Sequence, residues 1–505
     1  MTTASNPSPA PEVYRISARD RSGLFMGLGL AQLAMIGLGV VVGSVSAMVR
    51  GPMVFALPLC GLAVVIALVP YRGRPLVEQM GSLGSYLVDT VATRRRWAAR
   101  LDLLGRGAEQ LQLPPAMAGL ILRELDVEGR PVAVVEDRRD GTLSASIRVS
   151  GRRFALASET EQDRMLEEWA QALAPLCRQG GPIVGLTWAE WTAPTRIEAH
   201  RAWMARSFDP TADARAAAAY EEVLALTGAH TARHDVIVTL SVSITKAARR
   251  PGARAAPASA AARLEAAASA LGRELALFAG RLSAAGLEAT APLSAPELAR
   301  ALRDRLDPNA TSRLDEYSRS LGDVAGVVSP HNAGPLAAEV GRTYWRTDQS
   351  LHRAFAVTEW PRIGVYADWL AGFLLDVGGV RTTAVCYRPV SPTESARRIA
   401  HQATQLESDE QIRRDKGYLV TGEHRRNKEN VSKREQQLLD GHVEFTYCGI
   451  VVISAPDLES LDEQSEQVAQ SAARCRMELR ALDFQHDQAV TCTLPLGRRP
   501  KAAAL

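Results

Sequence analysis

Residues 132–149, VAVVEDRRDGTLSASIRV, decide the fold of this chain. The first half of the stretch is rich in valine, and the half after Gly141 alternates apolar and polar side chains. The pair Asp140-Gly141 stands between the two halves, and Asp-Gly favours the tight turn that joins two antiparallel strands. The stretch therefore predicts an antiparallel β-hairpin.

The segments after the hairpin complete a first α+β unit. Residues 159–177 predict a helix with one apolar face. Residues 183–188 and 234–245 have the apolar patterns of strands. The order strand, strand, helix, strand predicts a small antiparallel sheet with helices on one face, and we assign residues 114–250 to this unit. The apolar face of the predicted helix consists of Met165, Leu166, Trp169 and Leu173.

A second α+β unit is predicted over residues 351–505, and residues 251–350 between the units are interpreted as a helical insertion and an irregular linker. No strict short repeat is visible. The predicted fold class is therefore α+β, with a body of two antiparallel α+β units and a helical insertion. In the second unit, strands are predicted near residues 354–360, 381–390, 442–454 and 488–494, and helices near residues 363–375, 392–440 and 458–482.

The N-terminal part has two apolar runs, residues 24–42 and 53–69, and neither contains a charged side chain. Each run has roughly the length that crosses a bilayer core. Arginines flank the pair on both outer sides, whereas the turn between the runs contains only Arg50. After a disordered tail over residues 1–21, residues 22–70 therefore predict a transmembrane helical hairpin. The expected location is the plasma membrane, with two passes and with both termini and the main body cytoplasmic.

Residues 71–113 are interpreted as a juxtamembrane basic amphipathic helix. Apolar side chains recur there at three- and four-residue steps, and the sequence Arg94-Arg95-Arg96-Trp97 follows. Anionic lipid headgroups suit this cluster, and a nucleic-acid patch is the alternative. Two Gly-x-x-x-Gly spacings, which start at Gly23 and Gly39, allow packing within the hairpin or oligomerisation.

Residues with recognisable chemistry are scarce. The net charge is +3 over 505 residues, and the six cysteines contain no Cys-x-x-Cys pair. There is no Gly-Lys dipeptide, which excludes a Walker A loop, and the usual hydrolase, zinc and dinucleotide motifs are absent from the sequence. We predict no catalytic residue, no cofactor and no metal.

Two weaker patterns remain in the sequence. One is a set of dispersed histidines: His331, His352, His401, His424 and His442. The other is a basic run that includes Arg413, Arg414, Arg425, Arg426, Lys428, Lys433 and Arg434. The basic run is read as a solvated helix with intrahelical pairs, or as a docking face for an acidic partner or nucleic acid.

The last third of the chain resembles the N-terminal domain of the TraC/TrbE/VirB-type ATPases of conjugation and type IV secretion. The resemblance rests on residues 431–442 (VSKREQQLLDGH), on the apolar strand up to Ala455, and on residues 481–490 with Leu494-Pro-Leu-Gly497. In those ATPases the Leu-Pro-Leu-Gly stretch precedes the motor domain, whereas this sequence ends at Leu505. Together with the N-terminal pair of apolar runs, the pattern is similar to an actinobacterial-type PrgI-like hairpin fused to this ATPase domain without its motor.

The resemblance implies a structural, non-enzymatic component of a type IV-like secretion or conjugation apparatus. Its expected partners are membrane lipids, a separate motor ATPase and other subunits of the apparatus, with oligomerisation possible and no direct binding of nucleic acid. Two alternatives stay open. One is a membrane-associated scaffold that binds lipid or DNA and has no part in secretion, and the other is an enzyme at the membrane face.

Overall fold

The structure is a computed structural model of the whole chain. It describes residues 14, 29–48, 53–71, 74–91, 95–99, 112–127, 129–151, 154–194, 198–207, 213–228, 231–249, 259–321, 330, 333–375 and 378–500. The strands are β1 (Pro70–Tyr71), β2 (Arg74–Pro75), β3 (Arg96–Ala98), β4 (Leu120–Val127), β5 (Arg130–Asp137), β6 (Thr142–Ser150), β7 (Ile183–Pro194), β8 (Ala232–Ser243), β9 (Glu288–Pro292), β10 (Ala337–Val340), β11 (Trp345–Thr347), β12 (Ser350–Glu359), β13 (Val380–Val390), β14 (Glu444–Ala455) and β15 (Glu478–Ala481). The helices are α1 (Leu30–Met48), α2 (Met53–Leu68), α3 (Leu76–Val91), α4 (Glu159–Leu173), α5 (Glu198–Ser207), α6 (Ala214–Gly228), α7 (Ile244–Ala247), α8 (Ala260–Ala284), α9 (Ala295–Leu306), α10 (Thr311–Leu321), α11 (Ala371–Leu374), α12 (Pro392–Asp415), α13 (Gly422–Leu439), α14 (Leu458–Arg474) and α15 (His486–Thr493).

One 13-stranded sheet runs through the whole body, and each pair of neighbouring strands in it is antiparallel. The strand order is β3-β10-β11-β12-β14-β13-β7-β8-β6-β5-β4, while β15 adds to β12 and β9 adds to β6. The predicted hairpin is confirmed as β5 and β6, which pair from Val135 and Ser144 to Asp137 and Thr142. Gly141 adopts a φ of 61° in the turn between them, as the Asp-Gly signal requires.

The sheet is built from two halves with the same topology. The first half has the order β4-β5-β6-β8-β7, with β9 beside β6, and the second has the order β10-β11-β12-β14-β13, with β15 beside β12. A two-helix segment follows the equivalent strands β7 and β13, and α8 and α14 lead into the equivalent strands β9 and β15. The halves meet through β7 and β13, which are antiparallel, so a local two-fold axis relates them. The predicted body of two antiparallel α+β units is corrected here, because the strands of both units belong to one sheet.

Both faces of the sheet are covered. On one face, α9 and α15 pack against apolar side chains of β5, β8, β12 and β14. On the other face, α4 and α8 cover the first half and α14 covers the second. Helix α9 begins with a capping box, in which the Ser294 amide donates to Glu297 (2.8 Å), and this box fixes where the helix starts. Each half thus buries a core of its own on one face and shares a core on the other.

The N-terminal prediction is wrong. The two apolar runs do form an antiparallel pair of helices, α1 and α2, in which the Cys60 thiol donates to the Gly39 carbonyl (3.1 Å). However, within the described ranges no helix is both long enough and apolar enough to cross a membrane. Helix α1 has 19 residues and α2 has 16. The predicted transmembrane hairpin and the predicted two-pass location at the plasma membrane are corrected on this ground.

The structure describes one of the two Gly-x-x-x-Gly spacings, the one that starts at Gly39. A Cβ at Gly39 would lie 2.5 Å from the Cβ of Ala63, so this glycine serves packing between α1 and α2. Gly23 and Gly27 lie outside the described residues, as does the predicted disordered tail over residues 1–21 except Tyr14, which forms an antiparallel bridge with Val365.

Three further elements differ from the predictions. The predicted last strand at residues 488–494 lies mostly in helix α15, and the predicted helix at residues 363–375 is reduced to the short helix α11. The predicted insertion over residues 251–350 contains helices α8 to α10, but it also contributes strands β9, β10 and β11 to the sheet. Short apolar runs do not distinguish a strand from a buried helix, which explains the error at α15.

Candidate functional site

The most prominent feature of the second half is a long pair of helices, α12 and α13, which we call the arm (residues 392–439). The arm connects β13 to β14, although these strands pair along their whole length, up to Val390 and Glu444. A short turn could join the strands at that point. Helix α12 alone has 24 residues and is therefore about 36 Å long. Strands β13 and β14 could pair without the arm. Their pairing therefore does not explain why the arm is present.

The ends of the two arm helices are set by local sequence. Ser391 and Thr421 are N-caps, and their hydroxyls accept hydrogen bonds from the amides of Glu394 and His424 (both 3.3 Å). Helix α12 ends at Asp415, and Gly417 follows its C-cap with a φ of 72°, which only glycine adopts without strain. Local sequence therefore sets where the turn at the tip of the arm begins and ends.

The arm is fixed to the sheet at its root by Glu444, the first residue of β14. The Glu444 carboxylate accepts hydrogen bonds from Ser395 on α12 and from Arg434 on α13. Arg434 also donates to Gln402 (2.9 Å), so it ties the two helices together. Ile399 is buried at the root with 4% of its surface exposed. Beyond this root, the arm has few buried side chains.

In the middle of the arm, ion pairs hold the helices side by side. Lys428 lies 2.8 Å from Glu410 and 3.5 Å from Glu407, and Arg414 also donates to Glu410. The hydrogen bond from Lys428 lowers the pKa of Glu410 below its usual range, and the same bond raises the pKa of Lys428. Exposed ion pairs stabilise a fold only slightly, so these pairs align the helices more than they hold the arm together.

The tip of the arm combines exposed apolar side chains with basic ones. Ile412, Tyr418 and Leu419 lie within eight positions and are 51%, 65% and 88% exposed. Exposed charged side chains lie near them in the chain: Arg414, Asp415, Lys416, Arg425 and Arg426. Single exposed apolar residues are common on proteins, but several of them close together beside polar residues are typical of a protein-binding site.

The basic run of the sequence thus lies on the arm, and the structure divides it. Lys428, Arg414 and Arg434 make ion pairs, two of which join residues on different elements. Arg425 and Arg426, by contrast, are exposed at the start of α13. The intrahelical pairing that was predicted for the run holds for Arg414 with Glu410, whereas Lys428 and Arg434 pair with residues of other elements. The docking interpretation of the run stays a prediction.

The dispersed histidines do not come together. His352 lies on β12 and is fully buried, His401 is exposed on α12, and His424 is buried on α13. His442 is exposed, and His331 lies outside the described residues. In the described part of the chain, no three His, Cys, Asp or Glu side chains are grouped in a way that could hold a metal ion.

The arginines and the tryptophan near residue 96 are not at the end of a helix. Arg96 and Trp97 lie on the edge strand β3, and Arg95 directly precedes it. Arg95 stacks over the ring of Tyr86 (4.7 Å to its centre), and Arg96 pairs with Glu339. Trp97 packs against the shared core. A cleft beside them has an empty volume of about 490 Å³ that includes open solvent. The single amphipathic helix predicted over residues 71–113 is therefore α3 followed by a strand, and Arg94 lies outside the described residues.

Two polar networks meet at consecutive residues near the end of α9, and no pattern in the sequence indicated them. Arg305 is buried and donates to the Asp235 carboxylate (3.1 Å), which also accepts a hydrogen bond from Arg148 (2.5 Å). Burial opposes ionisation of Asp235, but the two arginines outweigh it and hold its pKa below the usual range. One residue further, the Leu306 carbonyl meets Thr347 and His352 of the second half. Helix α9 thereby connects the two halves of the sheet.

The amino-acid sequence matches no known protein family, and it matches no curated protein. The arm is therefore judged by its geometry and chemistry alone. Its tip exposes apolar side chains together with charged ones, most of them basic, and this combination suits a complementary protein surface.

Proposed function

We propose that this chain is a non-enzymatic docking component, and that the tip of the arm binds a separate motor ATPase of the TraC/TrbE/VirB type. The observation that supports the proposal is the exposure of Tyr418 and Leu419 at the end of a long, fixed arm. The class of partner comes from the resemblance, whose residues 431–442 lie in the second half of α13 and just beyond it. A type IV-like secretion or conjugation apparatus is the setting that the resemblance implies.

The arm is built in a way that favours a partner. Its helices expose most of their side chains, and helices that bury little surface of their own gain stability mainly from packing against something else. Its root, in contrast, is fixed through Glu444 to a strand in the interior of the sheet. A fixed root with an exposed end holds a binding surface at a constant distance from the body.

The chemistry of the tip defines the surface that would bind it. Tyr418 and Leu419 would enter an apolar pocket, and a tyrosine in such a pocket is a common source of binding energy. Arg425 and Arg426 would face acidic side chains at the rim. Charges at a rim act mainly on the rate of association, so binding should weaken as salt rises.

The test uses the full chain and a purified ATPase of this type, chosen for a G-x-x-x-x-G-K-[ST] loop and for a gene that neighbours the gene of this chain. We expect the double variant Tyr418→Ala/Leu419→Ala to lower the affinity at least tenfold. We expect the variant Arg425→Glu/Arg426→Glu to lower the association rate and to remove its salt dependence. Leu439→Ala is the matched control, because Leu439 is 76% exposed on the same arm but lies at the root end.

Three results would overturn the proposal. The first is an absence of binding between the two unmodified proteins, and the second is binding that the tip variants leave unchanged. The third is binding of duplex DNA that Arg425→Glu/Arg426→Glu abolishes and Tyr418→Ala/Leu419→Ala does not, because that result would indicate a nucleic-acid surface.

A further inference from the structure

Two cysteine thiols face each other on neighbouring strands beneath the arm. Cys386 on β13 and Cys448 on β14 are direct cross-strand partners, so their side chains lie on the same face of the sheet. The Cys448 thiol donates to the Cys386 carbonyl (3.9 Å). A third cysteine, Cys492 on α15, contributes only its carbonyl oxygen, which accepts a hydrogen bond from the Cys386 thiol (3.9 Å).

This pairing suits a disulfide. Directly opposite residues of antiparallel strands have Cα atoms about 4.5 to 5.5 Å apart. Disulfides span Cα separations of about 4.4 to 6.8 Å, so a bond between Cys386 and Cys448 needs side-chain rotation and no separation of the strands. Cys492 belongs to a helix packed above the sheet and is not a register partner of either cysteine.

The position of the pair relates it to the arm. Cys386 precedes the arm, Cys448 follows it, and 62 positions separate the two. Four cross-strand pairs lie between the cysteines and the arm, and one of them joins Pro389 to Phe445. Because proline has no amide hydrogen, Pro389 cannot donate a hydrogen bond to the ladder there. A covalent link would reinforce the strand pair at the end where its ladder is incomplete.

We propose that Cys386 and Cys448 form an intrachain disulfide on oxidation by hydrogen peroxide, and that this bond closes the loop that contains the arm. The regulatory consequence, a change in docking by the arm, rests on the proposed function, whereas the bond itself does not. In the reduced protein the arm root is held by non-covalent contacts: the Glu444 hydrogen bonds, the burial of Ile399, a hydrogen bond from Arg398 to Thr446 and the strand ladder. In the oxidised protein a covalent constraint is added to these.

The chemistry is balanced. The Cys386 thiolate attacks one oxygen of hydrogen peroxide, which breaks the O–O bond and gives a sulfenic acid, and the hydroxide that leaves takes up the thiol proton to form water. The Cys448 sulfur then attacks the Cys386 sulfur, and the hydroxyl of the sulfenic acid leaves as a second water. Two thiols and one peroxide thus give one disulfide and two waters. Contact with the Cys448 thiol lowers the pKa of Cys386, which favours Cys386 as the attacking group.

The test treats the full chain with hydrogen peroxide, blocks the remaining thiols with iodoacetamide, and maps linked peptides by mass spectrometry after digestion. We expect a peptide pair that joins Cys386 to Cys448 and lacks two hydrogens. The pair should be absent from Cys386→Ser and Cys448→Ser, and present in the control Cys492→Ser. Cys386→Ala and Cys448→Val repeat the test with side chains that suit a buried site, in case a serine there prevents folding.

Two results would overturn the inference. One is a link from Cys492 to either partner in place of the expected pair. The other is alkylation of Cys386 and Cys448 in the treated, then unfolded protein to the same extent as Cys177. The functional consequence is measured separately, as the affinity of reduced and oxidised protein for the neighbouring ATPase. If neither form binds the ATPase but the linked peptide is found, the docking proposal fails and the disulfide stands.

Discussion

Ala189 of β7 lies directly opposite Ala384 of β13, and both side chains are almost completely buried. This pair lies in the middle of the contact between the two halves of the sheet, near the local two-fold axis. The register around it runs from Thr192 opposite Arg381 to Leu186 opposite Tyr387. Because a strand pair of this length joins the halves, we expect them to unfold as one cooperative unit. Each half nevertheless has its own set of strands and its own core on one face.

A larger side chain at this junction should therefore destabilise the whole protein. Ala384 has no exposed surface, so Ala384→Leu forces extra methyl groups into a filled site and should lower the free energy of unfolding by about 1–3 kcal/mol. Urea denaturation followed by circular dichroism measures the change. Ala218→Leu makes the same substitution at an exposed position of α6 and should have little effect. Two separate unfolding transitions in the unmodified protein would contradict unfolding as one cooperative unit.

The ion pair beneath α9 should be costly to break. Asp235 is the acidic partner of the fully buried Arg305, so Asp235→Asn leaves that guanidinium without its compensating charge. Removal of one member of a buried pair typically destabilises a protein by about 3–5 kcal/mol. Arg148 is 35% exposed, so Arg148→Met should cost clearly less. Urea denaturation measures the change in the free energy of unfolding. A loss of less than about 1 kcal/mol for Asp235→Asn would show that water or a local rearrangement compensates Arg305 for the missing carboxylate.

His352 should make stability depend on pH. Burial lowers the pKa of His352 from 6.5 to about 4 in the folded protein, and the unfolded chain has the ordinary value. The unfolded state therefore binds more protons between pH 6.5 and pH 4, so this contribution is complete above pH 6.5 and is lost as the pH falls towards 4. The expected loss is about 3 kcal/mol.

The measurement for His352 is the free energy of unfolding against pH, for the unmodified chain and for His352→Asn. The variant should be less stable at pH 7, because it changes contacts with Thr347 and Ser454, but its stability should fall less steeply between pH 6.5 and 4. Parallel curves for the two proteins would mean that other groups cause the acid sensitivity.

Local patterns predicted the local parts of this fold. The β5–β6 hairpin followed from Asp140-Gly141 because the signal and the pairing lie within one short stretch. The ends of helix α9 are likewise local, with Ser294 as its N-cap and Asp307 as its C-cap. The pairing of Ala189 with Ala384 joins residues that are distant in the chain, and no local pattern specifies such a partner. The duplication was missed because it repeats a topology with a long period and not a short sequence.

The two apolar runs near the N-terminus show the limit of composition. An absence of charge over residues 53–69 predicted a helix correctly, but helix length and membrane crossing depend on where the helix begins and ends. For the candidate site, the charged helices over residues 392–440 were predicted, whereas the exposure of Tyr418 and Leu419 follows from a turn that only the structure places at the tip. The networks around Asp235 and His352 draw residues from strands far apart in the sequence.

The root of the arm should loosen when Glu444 loses its charge. Glu444→Gln keeps the shape of the side chain but weakens the contacts with Arg434 and Ser395, and at this half-buried position the expected cost is about 1 kcal/mol. Because the sheet does not depend on the arm, the effect should be local. Hydrogen exchange should become faster for the amides of α12 and α13 and should stay unchanged for β7 and β8. Glu435→Gln, at an exposed position of the same arm, is the matched control. Faster exchange throughout the sheet would show that the arm contributes to the stability of the body, and it would remove the main structural reason for regarding the arm as a docking element.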